Sequence, residues 1–156
     1  MNIRFKQAIN LFKETAYEGF SFNPATIEEI NIAEKELNAT LPESYKAFQL
    51  ELGDIDWAML EIYSVKTPPE GRINIIGITQ SERTQCFPNM PDSLIPFSDD
   101  GGGDSYCFDT SKITDGECNI VFWDHASNSE QEPTIVAKDF VEWINKEIEW
   151  RLEEDV

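Results

Sequence analysis

The stretch Phe97-Ser98-Asp99-Asp100-Gly101-Gly102-Gly103-Asp104 sets three glycines among three aspartates, the densest concentration of chemistry-bearing residues in the chain. Glycine-rich loops cradle phosphate when their free amides stand beside a Lys or Arg. Here the sign is wrong. No basic residue occurs between Arg83 and Lys112, whereas Asp92, Asp99, Asp100, Asp104 and Asp109 all fall in that interval, so an approaching phosphate meets net repulsion. Clustered carboxylates suit a hard cation such as Ca²⁺, but the spacing does not match the EF-hand loop, and the sequence assigns neither a metal nor a cofactor. The reading that remains is a tight turn between two strands. Its glycines would supply positive φ and its aspartates would cap backbone amides or face water.

Groups for catalysis are few. His125, the only histidine, follows Asp124 directly, and consecutive residues of an extended strand point to opposite faces, so the two do not form a dyad by default. Gly103-Asp104-Ser105-Tyr106-Cys107 has a cysteine where the nucleophile elbow GxSxG needs its second glycine. Cys107 itself lies between Tyr106 and Phe108 with acids nearby, surroundings that raise a thiol pKa and blunt it as a nucleophile. With 30 Asp and Glu, carboxylate pairs of almost any geometry are available, so their presence selects no reaction. No catalytic residue is assigned.

The balance of 30 acids against 12 Lys and Arg gives a net charge of -18. Such a surface repels nucleic acid backbones and anionic lipid heads and attracts basic proteins. Hydrophobic residues make up 40% of the 156, including ten Phe, four Tyr and four Trp, enough for one well-filled core without disulfide or metal staples. Cys86, Cys107 and Cys118 are odd in number and lack CxxC spacing, so they read as reduced thiols. No apolar leader opens the chain and no charge-free run reaches membrane-spanning length, which points to a cytoplasmic protein, with a monomer favoured.

The elements that must position these residues follow from periodicity. Phe5, Ala8, Ile9 and Phe12 predict a helix from about Asn2 to Glu18, stopped by Gly19. In the loop after it, Phe20 and Phe22 tuck against the core. Thr26 with Glu29 matches a capping box, and Ile27, Ile30, Ala33 and Leu37 form the apolar stripe of a second helix. A third begins around Leu41-Pro42, carries Tyr45, Phe48 and Leu52, and closes on Gly53. Strands are expected at Trp57–Tyr63, Leu94–Phe97, Asp104–Phe108 and Asn119–Trp123, with a turn at Asp115-Gly116. Ile73 to Ile78 reads as a strand and Thr79 to Cys86 as a short helix. Phe140, Trp143, Ile144 and Ile148 mark the apolar face of a closing helix whose end, Glu153-Glu154-Asp155, opposes the helix dipole and should fray. Trp57, Trp123 and Trp143 fit core positions, and Trp150 a partly exposed one. Helices first, an antiparallel sheet next and a closing helix packed on it make one α+β domain over residues 1–156.

Leu41-Pro42-Glu43-Ser44-Tyr45-Lys46 followed by Gly53, then Ile95 through Asp104, Tyr106-Cys107-Phe108-Asp109 and Ile120-Val121-Phe122-Trp123-Asp124-His125 together resemble the SUKH superfamily. That superfamily includes the Smi/Knr cell-wall assembly regulators of fungi and their bacterial relatives. The resemblance spans about Thr26 to Ile148. It departs at Ser98, where glycine or alanine is common, and matches nothing between Ser64 and Pro91. It implies a twisted antiparallel sheet flanked by helices. It also implies the role of the bacterial branch, an immunity protein that binds and neutralises a polymorphic toxin, often a nuclease; the fungal members carry long disordered extensions, which this sequence does not show. A basic toxin domain is then the expected partner, with Asp99, Asp100, Asp104, Asp109, Asp124 and Trp150 as its contact residues. The other functions open at this point are a regulatory scaffold for cellular proteins and a metal-dependent hydrolase built on the aspartates.

Overall fold

The computed structural model describes residues 3–15, 22–66 and 74–154. Along the chain run α1 (Ile3–Thr15), α2 (Ile27–Leu37), α3 (Glu43–Glu51), β1 (Ile55–Trp57), β2 (Leu60–Ile62), α4 (Ile75–Thr84), β3 (Leu94–Asp99), β4 (Ser105–Asp109), β5 (Ile120–Trp123), β6 (Thr134–Ala137) and α5 (Phe140–Glu154). β3 to β6 form an antiparallel sheet in sequence order, and β1 and β2 form a separate antiparallel pair. Helices precede the large sheet and α5 closes it, so the architecture is α+β, as the sequence predicts.

The capping box is present: Glu29 N donates to Thr26 Oγ1 at 3.2 Å and Thr26 N to Glu29 Oε1 at 3.0 Å. Ile30, Ala33 and Leu37 face inward, but Ile27 is 65% exposed and leaves the expected stripe. α3 starts at Glu43, two residues later than expected, with Pro42 as its N-cap. Proline's ring offers no side-chain acceptor to cap with. Instead Glu117, 73 residues further on, accepts from the Ser44 amide at 3.2 Å and from the Ser44 hydroxyl. A carboxylate at that end also suits the helix dipole. The C-cap is Leu52 rather than Gly53. Gly53 has φ +77°, and a Cβ there would lie 1.9 Å from the Asn23 carbonyl oxygen, so only glycine fits between α3 and the backbone at Asn23.

One face of the large sheet meets the main core. Phe97 stacks on Phe108 at 4.2 Å and meets the Trp143 ring edge-on at 4.8 Å, while Tyr45 packs edge-on to Phe108 and Phe140. The opposite face carries a smaller cluster of Met90, Leu94, Cys107, Val121 and Trp123. Trp57 is only partly buried, contrary to its expected core position.

Four further differences from expectation appear. Trp57–Tyr63 is not one strand: the chain turns at Ala58-Met59, so that Trp57 pairs with Leu60. The described part of the stretch expected as a strand from Ile73 to Ile78 is instead helical from Ile75, where a single helix, α4, runs on through Thr84. Asn74 caps it by accepting the Gly77 amide at 2.7 Å, and Ile75, Ile76 and Thr79 bury at helical spacing, which outweighs their β-branched character. β6 is not expected at all; it is a short edge strand whose Ile135 is 61% exposed, so it lacks the inward alternation that announces strands. α5 keeps helical geometry through Glu154 where fraying is expected. The expected end of the first helix at Glu18 and Gly19, Phe20, Ile73 and Asp155 lie outside the described residues.

Candidate functional site

Asp99 ends β3 and Ser105 opens β4, with the glycine turn between them. The turn is closed by the Asp100 amide donating to the Asp104 carbonyl at 3.0 Å. Asp99 accepts the Gly101 amide at 2.5 Å, and Asp100 accepts those of Gly102 at 2.8 Å and Asp104 at 3.1 Å. The aspartates therefore cap the turn's own amides, as the sequence suggests. Gly101 and Gly103 have φ of +92° and +98°.

Strand pairing sets the next acidic loop beside this one. Ser105 is opposite Trp123, so Asp104 neighbours Asp124 at the same end of the sheet. His125 donates its amide to Asp104 Oδ1 at 2.9 Å, and its Nδ1 lies 2.5 Å from the same oxygen. The imidazole packs over Gly103, where a Cβ would come within 3.2 Å of it. The histidine thus pairs across strands with Asp104 and not with its sequence neighbour Asp124, whose carboxylate instead accepts the Ala126 amide at 2.8 Å. The hydrogen bond that its ring N–H donates to Asp104 raises the His125 pKa. Burial pushes Asp104 upward, but the His125 bonds outweigh it and hold the carboxyl below its usual range. Among the described residues no hydroxyl or thiol hydrogen-bonds this imidazole. Asp104, Asp124 and His125 offer three ligand atoms within 4.8 Å, but Asp104 Oδ1 already serves two His125 nitrogens, and a hard cation takes six or more oxygens.

Two acids that sequence reasoning passes over join Asp99. Glu61 on β2 has its pKa raised by burial and by Asp56 and Asp99. Glu82 on α4 is raised by burial and by Asp99, partly offset by His125. Carboxylates from three elements thus repel one another at this end of the molecule. Glu61 belongs to the hairpin read as one strand and Glu82 to the stretch without a motif, so no local signal marked either.

A groove of about 480 Å³ opens beside Asp99 and Asp100, bounded by the Ala58-Met59 turn on one side and by Trp150 of α5 on the other. Ser98, Tyr106 and Trp143 also line it. Met59 is 84% exposed and Trp150 56%. Both Ala58 and Met59 have positive φ, 49° and 65°. Two-residue hairpin turns of that kind normally use Asn and Gly, so the backbone here holds two ordinary residues in a costly conformation. Arg151 steadies the turn, its Nε donating to the Ala58 carbonyl at 2.9 Å.

Of the residues named from the sequence, Asp99, Asp100, Asp104 and Asp124 come together at one sheet end, and Trp150 joins Asp99 and Asp100 around the groove. Asp109 does not: it sits at the far end of β4, about 13 Å from Ser105 at the rise of a strand, where it accepts from the Ser111 amide at 3.1 Å. Cys86, Cys107 and Cys118 are free thiols. Burial holds Cys107 well above the ordinary thiol range and pushes Cys118 up to about 12, so both stay protonated at neutral pH. No helix among the described residues is long and apolar enough to cross a membrane.

Residues 5–150 match a family model, SUKH_5, described as SMI1-KNR4 cell-wall. A crystal structure of a protein from Pseudomonas syringae pv. tomato is similar with a TM-score of 0.67 at 18% sequence identity, covering 90% of this chain and 95% of that one. At that identity the likeness is one of fold.

Proposed function

The chain belongs to the SUKH_5 family, SMI1-KNR4 cell-wall, and from that premise we propose that it is an immunity protein that binds and neutralises a cognate toxin, without catalysis of its own. The toxin on this reading is a basic domain, a nuclease, and the immunity protein covers the cationic surface that would otherwise hold nucleic acid. One observation carries the proposal: a sheet end where Asp99, Asp100, Asp104 and Asp124 gather, with Asp99 and Asp100 bonded only to backbone amides and unpaired with any cation among the described residues. A net charge of -18 would steer such an encounter, at rates up to about 10⁸–10⁹ M⁻¹s⁻¹ at low salt. Blocking a groove needs no reaction, and the exposed Asp104–His125 pair has no nucleophile bonded to it among the described residues.

Co-expression with a basic toxin domain encoded beside this gene tests the reading. Rescue of growth from that toxin and not from unrelated ones, with affinity that weakens steeply as salt rises, is the expected outcome. Equal binding to several unrelated cellular proteins without rescue would favour a scaffold instead.

A further inference from the structure

The groove between the Ala58-Met59 turn and α5 combines apolar walls with uncompensated charge at one end. Its two cations are already used. Lys146 pairs with Glu142 at 3.1 Å, and Arg151 pairs with Glu147 at 2.6 Å while also bonding the carbonyls of Ala58 and Glu147. Arg151 therefore ties the two walls together and does not neutralise the opening. Asp99 and Asp100 remain, backed by Glu61 with its raised pKa. A second sign of an incomplete site is Trp143, which lines the groove, is 3% exposed and has an indole N–H with no hydrogen-bond partner among the described residues, a donor that a backbone carbonyl of an incoming segment would satisfy. At the rim, Met59 and Trp150 expose two of the residue types that serve as anchors in binding surfaces.

We infer that this groove receives a single arginine of a basic partner protein, presented on an extended segment with apolar neighbours. The guanidinium would lie against Asp99 and Asp100, and the flanking apolar side chains against Met59 and Trp150. Arginine fits better than lysine because its planar fork can meet two carboxylates at once and stack on an aromatic wall. Among the described residues Asp99 and Asp100 belong to no group of three ligand atoms close enough to share one small ion, as Asp104, Asp124 and His125 do, so a spread cation suits them better than a metal. The inference rests on the partner-binding reading above and narrows it to one anchor.

The full chain, labelled with ¹⁵N, is titrated with acetyl-Leu-Arg-Leu-amide and, separately, with acetyl-Leu-Glu-Leu-amide. Saturable shifts of the Trp143 and Trp150 indole signals and of the Met59 amide are expected with the arginine peptide and not with the glutamate one. D99N/D100N should weaken that binding about tenfold, the sum of two exposed charge contacts, and M59S and W150S should each weaken it without altering the spectrum elsewhere. Shifts that spread over the acidic surface and ignore M59S and W150S would overturn the inference. The two readings fail separately. Toxin rescue that survives D99N/D100N, M59S and W150S removes the groove and leaves the immunity function, whereas peptide binding in a chain that protects against no toxin removes the immunity function and leaves the groove.

Discussion

Ser98 offers the sharpest test of how the acidic end is held. It is 1% exposed, and its hydroxyl donates to the Glu61 carbonyl at 2.5 Å, joining the large sheet to the β1–β2 pair; one residue earlier the Phe97 carbonyl accepts the Tyr63 amide at 2.9 Å. Replacing Ser98 by alanine removes the donor and leaves a partly buried carbonyl short of a partner, while the space vacated is only that of a hydroxyl. The cost is that of a buried hydrogen bond with one orphaned partner, about 1–2 kcal/mol. For a chain of 156 residues, each kcal/mol moves the melting temperature by roughly 2–4 °C, so S98A should melt about 2–8 °C lower. Urea unfolding followed by far-ultraviolet circular dichroism and by tryptophan fluorescence measures this, with an unchanged m-value confirming that both states keep their compactness. Because Ser98 lines the groove, S98A should also loosen the registry of the Ala58-Met59 turn against Asp99, seen as faster amide exchange at Leu60 and Glu61. A variant as stable as the parent, with unchanged exchange in β2, would show that the hydroxyl does not join the two sheets and would refute the reasoning.

Asp104→Asn should bring the His125 titration midpoint, followed by its imidazole proton signals, down toward that of an ordinary histidine, since Asp104 is the main cause of its elevation. The same pairing gives a stability contribution confined to mildly acidic pH. On the alkaline side it is lost as His125 deprotonates through its raised folded pKa, and on the acid side as Asp104 protonates through its lowered one. Glu61, Glu82 and Glu117 behave oppositely on the acid side: burial raises each, so the penalty for keeping them ionised in the folded state is relieved as pH falls through their folded pKa values, and the urea midpoint should rise as pH is lowered from 8 toward the ordinary carboxylate range. Glu117→Ala removes the cap supplied to α3 and should cost about 1–2 kcal/mol, while Glu117→Gln, which keeps an acceptor for Ser44, should lose less in the same assay. Gly53→Ala forces a Cβ into the Asn23 carbonyl at positive φ and should cost on the order of 3 kcal/mol or more, read as a large drop in soluble, cooperatively melting protein.

By itself the sequence determined whatever rests on residues near one another along the chain. The capping box at Thr26 and Glu29, the inward residues of α3 and α5 and, apart from Ile27, those of α2, the strands around the glycine turn, the Asp115-Gly116 turn and the free thiols were all legible, because helical and strand periods and turn chemistry are local. The family was legible for the same reason, through contiguous motifs. Tertiary structure alone decided which charges meet. Strand register put Asp104, not Asp124, against His125, and sent Asp109 to the other end of the same strand. The Ala58-Met59 hairpin had no glycine or asparagine to announce it, because packing against Arg151 holds a turn that local preference would not choose. Glu61, Glu82 and Asp99 lie on β2, α4 and β3, and Trp150 reaches the groove beside Asp99 from the last helix. Charge acts through space and not along the chain, so the composition could say that this protein is acidic, but only the fold could say where that acidity is left unpaired.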